Sequence, residues 1–137
     1  MRYLLDANVL LHAANEVPGY RHIVARINEE GPDAARLSAV TFYELRFKFK
    51  LDKSVGSSKR LRALSAWLGY FRVLPFTVHA ARKAAAIRAQ LERAGTPIGP
   101  LDVLAAGHAL ALGYTMVTDN VREFGRVPGL RLENWLR

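Results

Sequence analysis

Four acidic residues of the chain, Asp6, Glu44, Asp102 and Asp119, sit where a short apolar run gives way to a polar turn or a helix start. Singly, each has an ordinary explanation: Asp6 and Asp119 as helix N-caps, Glu44 as partner of Thr41 in a Ser/Thr-x-x-Glu capping box, Asp102 as a first-turn acid beyond Pro100. Jointly they point elsewhere. Four carboxylates gathered at one end of a sheet repel one another, which raises their pKa values unless a cation neutralises them. Carboxylate oxygens are hard ligands, so Mg²⁺ or Mn²⁺ is the natural cation. Such an ion lowers the pKa of bound water and offsets charge on a phosphate, the combination that hydrolyses phosphodiesters. The spacing alone therefore leads to a metal-dependent nuclease.

The elements that must bring these residues together follow from the hydrophobic pattern. Arg2–Leu5, Leu37–Val40, Val73–Phe76 and Tyr114–Thr118 read as short buried strands, with a weaker fifth at Leu130–Leu132. Between them lie helical stretches: Asn8–Ala14, Tyr20–Glu30, Thr41 to about Lys53, a segment opened by Ser57 and Ser58, Thr77–Ala94, and Gly99–Pro100 through Leu112. Gly95 and Gly113 close the last two. The longest irregular piece is expected around Lys53 to Ser57. Strands of four or five residues alternating with helices predict an α/β fold, a short-stranded, mainly parallel central sheet covered on both faces in three α/β/α layers. Ligands in such sheets bind outside the carboxyl ends of the strands, which is where Asp6, Glu44 and Asp119 fall, with Asp102 opening the helix that leads to the fourth strand.

Length and composition agree with a single domain over residues 1–137. Half of the residues are hydrophobic and 23% charged, enough apolar surface for a core without staples. The chain has no cysteine, which excludes disulfide frameworks, thiolate zinc sites, iron–sulfur clusters and a cysteine nucleophile, and suits a cytoplasmic protein. No targeting or membrane segment is expected, because Asp6 and Asn8 interrupt the apolar start and Val103–Val117 is too short to span a bilayer. Net charge is +8, and it is unevenly placed. From Arg46 to Arg93 twelve Lys or Arg face two acids, +10, whereas the remainder carries eight basic and ten acidic residues, −2. A basic middle beside an acidic centre suits a polyanionic partner such as nucleic acid, although a solvated basic helix face gives the same count.

Four ordered blocks carry a resemblance: Leu5-Asp6-Ala7-Asn8-Val9-Leu10, Ser38-Ala39-Val40-Thr41-Phe42-Tyr43-Glu44-Leu45, Ile98-Gly99-Pro100-Leu101-Asp102-Val103-Leu104-Ala105-Ala106 and Val117-Thr118-Asp119-Asn120-Val121-Arg122-Glu123-Phe124. Together, over nearly the whole chain, they resemble PIN-domain proteins of the VapC toxin type. The resemblance implies a Mg²⁺- or Mn²⁺-dependent endoribonuclease, the toxin of a toxin–antitoxin pair, inhibited by a small antitoxin and commonly dimeric. It assigns Asp6, Glu44, Asp102 and Asp119 to the acidic quartet, with Asp6 and Asp102 as direct ligands and Glu44 and Asp119 acting through water. It also assigns Asn8, Thr118 and Asn120 to the polar positions beside it. Two positions depart from the pattern: Ala7 stands where such proteins usually have a hydroxyl, and Lys48 near a common glycine.

The remaining candidates divide readily. His12, His22, His79 and His108 lack zinc-site spacing and read as core or surface residues that the chemistry does not need. Neither a Gly-x-Ser-x-Gly elbow nor a phosphate-binding Gly-x-x-x-x-Gly-Lys-Ser/Thr loop occurs. Arg46, Lys48 and Lys50, interleaved with Phe42, Tyr43, Phe47 and Phe49, are candidates for RNA binding, and that helix is apolar on more than one side. Phe49 is expected to line an antitoxin or dimer groove. A signalling receiver domain would need paired acids after the first strand and a lysine after the last, and has neither. A PIN nuclease of RNA maturation and a non-catalytic RNA-binding module are the other readings.

Overall fold

The structure, a computed structural model, describes residues 1–51 and 57–137. In chain order the elements are β1 (Tyr3–Leu5), α1 (Ala7–Ala14), α2 (Tyr20–Glu30), β2 (Ala35–Ser38), α3 (Ala39–Leu51), α4 (Ser57–Tyr70), β3 (Val73–Leu74), α5 (Val78–Arg93), α6 (Pro100–Leu112), β4 (Thr115–Val117), α7 (Val121–Phe124) and β5 (Leu132–Glu133). The five strands form one sheet in the order β3-β2-β1-β4-β5, and every pairing is parallel. The order in which strands are added reverses between β1 and β4, so the crevice at their carboxyl ends is the switch point where such sheets bind ligands.

Alternation along the strands builds two cores. Tyr3, Leu5, Leu37 and Val117 point to one face, against Leu10 of α1, Ile23 and Ile27 of α2, Leu45 of α3 and Leu64 of α4. Leu4 and Met116 point to the other, against Ile87 and Leu91 of α5, the alanines of α6 and Phe124. This is the three-layer α/β/α arrangement the strand and helix pattern predicts, with a sheet buried on both faces because helices cover each. On the second face, α5 and α6 meet backbone to backbone: a Cβ added to Gly107 would lie 2.6 Å from the Cα of Ala84.

The structure moves several boundaries, and one move matters to the site. α3 starts at Ala39, two residues earlier than the capping box at Thr41 implies, and Thr41 is buried inside the helix. The Ser38 hydroxyl instead accepts the N–H of Val40 at 3.1 Å, so Glu44 is not occupied with a cap. β2 accordingly ends at Ser38 rather than Val40. β3 stops at Leu74 because Pro75 has no N–H to continue a ladder. β5 lies at Leu132–Glu133, set by pairing of Met116 with Leu132 and Val117 with Glu133. α5 is capped by Thr77, whose Oγ1 accepts from Ala80 N at 3.1 Å. The expected end of the third helix at Lys53 and the irregular stretch from Lys53 lie outside the described residues. No helix of the described residues is long and apolar enough to cross a membrane.

Candidate active site

The β1–β4 register delivers the first carboxylate. Leu5 pairs with Val117, and Asp6 continues the ladder by donating its N–H to the Val117 carbonyl at 2.9 Å. That places Thr118 beside it, and the Thr118 hydroxyl donates to Asp6 Oδ2 at 2.9 Å. Thr118 is fixed in turn, since its Oγ1 accepts the Asn120 N–H at 3.0 Å. Asp6 is only 5% exposed, and its pKa is raised to about 7. Burial is the main cause; the Thr118 hydrogen bond opposes it, and the charges of Asp102 and Glu44 add to it.

Asp102 comes from the other side of the crevice, in the first turn of α6, where the helix dipole favours an acid. Its carboxyl folds back over Gly99: a Cβ on Gly99 would stand 2.9 Å from Asp102 Oδ2. Here too the pKa is raised, to about 6, first by burial, then by the charges of Glu44 and Glu123, while Lys48 works against the rise. Glu44, half-buried on α3, pairs with Lys48 one turn on, Nζ to Oε2 3.1 Å. The first three acids of the sequence reading thus share one electrostatic neighbourhood.

Asp119 is differently engaged. His12 on α1 holds it, Nε2 to Oδ2 2.8 Å, so one of the four histidines set aside in the sequence does reach the acidic end of the sheet. Glu123, which lies outside the sequence-derived quartet, receives a hydrogen bond from Asn120 Nδ2 at 3.0 Å, and its charge helps to raise the pKa of Asp102. Its signal lay in the block Val117–Phe124, but the one-turn helix α7 that aims it inward has no clear sequence signature. Of the accompanying polar residues, Thr118 and Asn120 are built into the site, whereas Asn8 is half-buried in the first turn of α1 with no partner for its amide among the described residues. The backbone N–H of Ala7 acts on the Asp6 carboxyl in the sense that favours the ionised form.

The donor chemistry fits a hard divalent ion: several oxygen ligands, buried, mutually repelling, with few cations among them. Among the described residues no three His, Asp or Glu side chains converge closely enough to enclose an ion as they stand. Glu44 is tied to Lys48, Asp119 to His12 and Glu123 to Asn120, so loading the site requires side chains to exchange these partners. Of the basic candidates on α3, only Lys48 touches the site. Arg46 lies over the Phe49 ring, 5.3 Å from its centroid, and Lys50 is exposed. Phe49 itself packs against the first core, whereas Tyr43 and Phe47, stacked at 6.4 Å, and Leu51 form the exposed apolar side of this helix.

An all-parallel sheet with acids at its switch point defines a class, and comparison with known proteins names it. Residues 3–130 match the family model of the PIN domain. The chain is 35% identical, over 98% of both chains, to the tRNA(fMet)-specific endonuclease VapC of Salmonella typhimurium, and 31% identical, again over 98% of both, to Ribonuclease VapC2 of Rickettsia felis. Its fold superposes with a TM-score of 0.84 on a chain of the DNA-bound VapBC crystal structure from Salmonella typhimurium, at 34% identity and 98% coverage of both. The chain belongs to the PIN-domain family, and within it to the VapC ribonucleases. PIN-domain nucleases of this type are in general divalent-metal dependent, which agrees with the donor set.

Proposed function

We propose that this protein is the toxin of a VapBC-type pair: an endoribonuclease that hydrolyses RNA phosphodiester bonds with Mg²⁺ or Mn²⁺, held in check in the cytoplasm by a small antitoxin and acting as a homodimer. The observation that carries the reading is the shared field of Asp6, Glu44, Asp102 and Glu123 at the sheet's switch point. Asp6 and Asp102, the two most strongly perturbed acids, would hold the ion directly, with Glu44 completing the set. When bound, the ion supplies an acidified water and offsets negative charge on the scissile phosphate. Thr118 keeps one Asp6 oxygen oriented through its donated proton. Glu123, positioned by Asn120, acts on Asp102 through its charge and favours the protonated carboxyl in the absence of a cation. Asp119, held by His12, stands at the rim, where it can orient a water. The basic residues of α3, Arg46, Lys48 and Lys50, would contact the RNA backbone.

Transfer RNA is the substrate to try first, given what the Salmonella relative acts on. Purified, antitoxin-free chain incubated with transfer RNA and Mn²⁺ is expected to give discrete fragments. Asp6→Asn and Asp102→Asn should each lower the rate by roughly 10²-fold or more, the order associated with losing a group that positions transition-state charge. Cleavage by either variant at the wild-type rate would refute the assignment.

A further inference from the structure

The Lys48–Glu44 pair places a cation where the site would otherwise gather only acids. The Lys48 Nζ lies 3.1 Å from Glu44 Oε2, and its charge also reaches Asp102 on the facing helix. Among the described residues no other Lys or Arg side chain pairs with Asp6, Glu44, Asp102 or Glu123. The pair has the favourable order for a helix, Glu four residues before Lys, but Lys48 is 44% exposed, and an ion pair that open is held weakly. It fixes Glu44 without locking it.

We propose that Lys48 is the resident counter-ion of the carboxylate cluster, that it holds Glu44 away from Asp6 and Asp102, and that a divalent ion must displace it from Glu44 to bind. The inference rests on the metal-dependent reading above. A monovalent ammonium on a half-solvated carboxylate yields to a divalent ion that three carboxylates can share, because attraction grows with the product of the charges. The displacement nevertheless weakens metal binding, since part of the attraction goes into breaking the existing pair and part is lost to repulsion between the ion and the nearby ammonium. Lys48 thereby sets the metal concentration at which the site fills.

Calorimetric titration of Mn²⁺ alone into the full chain, and into Lys48→Gln and Lys48→Arg, tests this. Lys48→Gln is expected to bind Mn²⁺ more tightly by roughly three- to tenfold, the scale of removing one charge close to a divalent ion in a partly solvated site, and Lys48→Arg to stay near wild type. A second readout is the labelling of lysine amines by an acylating reagent, followed by mass spectrometry with Lys50 as internal reference. Saturating Mn²⁺ should increase labelling of Lys48 relative to Lys50 as the ammonium leaves Glu44. Equal or weaker Mn²⁺ binding by Lys48→Gln, or unchanged labelling of Lys48, overturns the displacement while leaving the metal site intact. Absence of Mn²⁺ binding in wild type and variants alike overturns the metal reading, and the displacement with it.

Discussion

Thr118 and Glu123 act on the two central acids in opposite senses. Thr118 donates to Asp6 and favours its ionised form, whereas the charge of Glu123 acts on Asp102 and favours the protonated one. Replacing Thr118 by Val removes the donor at nearly constant volume, so Asp6 should titrate above its present value of about 7. The acidic limb of the pH dependence of Mn²⁺ affinity should move up by roughly one to two units, the equivalent of one hydrogen bond to a charged group. Glu123→Gln keeps the hydrogen-bonding shape but removes a charge. Cleavage should fall by about 10- to 100-fold, as when partners of metal ligands are changed, with no loss of thermal stability. Wild-type cleavage by this variant would return the fourth acidic role to Asp119. The sequence supplied Asp119 through its place after a strand and passed over Glu123, because only the turn of α7 separates an acid aimed at the crevice from one aimed at solvent.

At the scale of the element, the site depends on how α6 is seated. Asp102 opens this helix, and its placement against Asp6 is fixed by the packing of α6 on α5 and on the sheet. That packing is tightest at Gly107, where any Cβ would collide with the Ala84 backbone. Gly107→Ala removes a mid-helix glycine, which by propensity alone would stabilise α6 by about 1 kcal/mol. The collision outweighs this, because backbone cannot move aside as a side-chain end can. A net destabilisation of about 1–3 kcal/mol, typical of overpacking, should appear as a melting temperature lower by several degrees. Cleavage should fall as well, through displacement of Asp102. The helix periods and the glycine and proline boundaries of α5 and α6 are plain in the sequence, but their closeness is not, since an alanine-rich helix with one glycine fits several partners. α3 shows the converse. Its apolar residues on two sides read as a possible groove at Phe49, whereas tertiary packing turned Phe49 to the core and left Tyr43, Phe47 and Leu51 outside.

For the molecule as a whole, the buried acids make stability depend on pH and on metal. Asp6 and Asp102 have folded-state values of about 7 and about 6, raised above the 3.8 of an unperturbed aspartate. Between these values the native state holds protons that the unfolded state has released, so metal-free stability falls as pH rises from about 4 to about 7. Melting without divalent ions should occur at a lower temperature at pH 8 than at pH 5, and Asp6→Asn should reduce the difference. Mn²⁺ binds the ionised native site, so its stabilising shift should be larger at pH 8 than at pH 5. A metal-induced shift independent of pH would remove these carboxyls from the site. Sequence by itself determined the layered α/β architecture and brought forward the acids Asp6, Glu44, Asp102 and Asp119 as candidates at the strand ends, because apolar periodicity and the polar residue that ends each buried run are local properties of the chain. Tertiary structure alone decided that the crevice lies between β1 and β4, that Glu123 acts on Asp102 and that His12 holds Asp119. These contacts join residues that sequence separation does not constrain, unlike the Lys48–Glu44 pair, which spans one helical turn. All of them depend on strand register and on side-chain directions that short turns such as α7 set only once the sheet has formed.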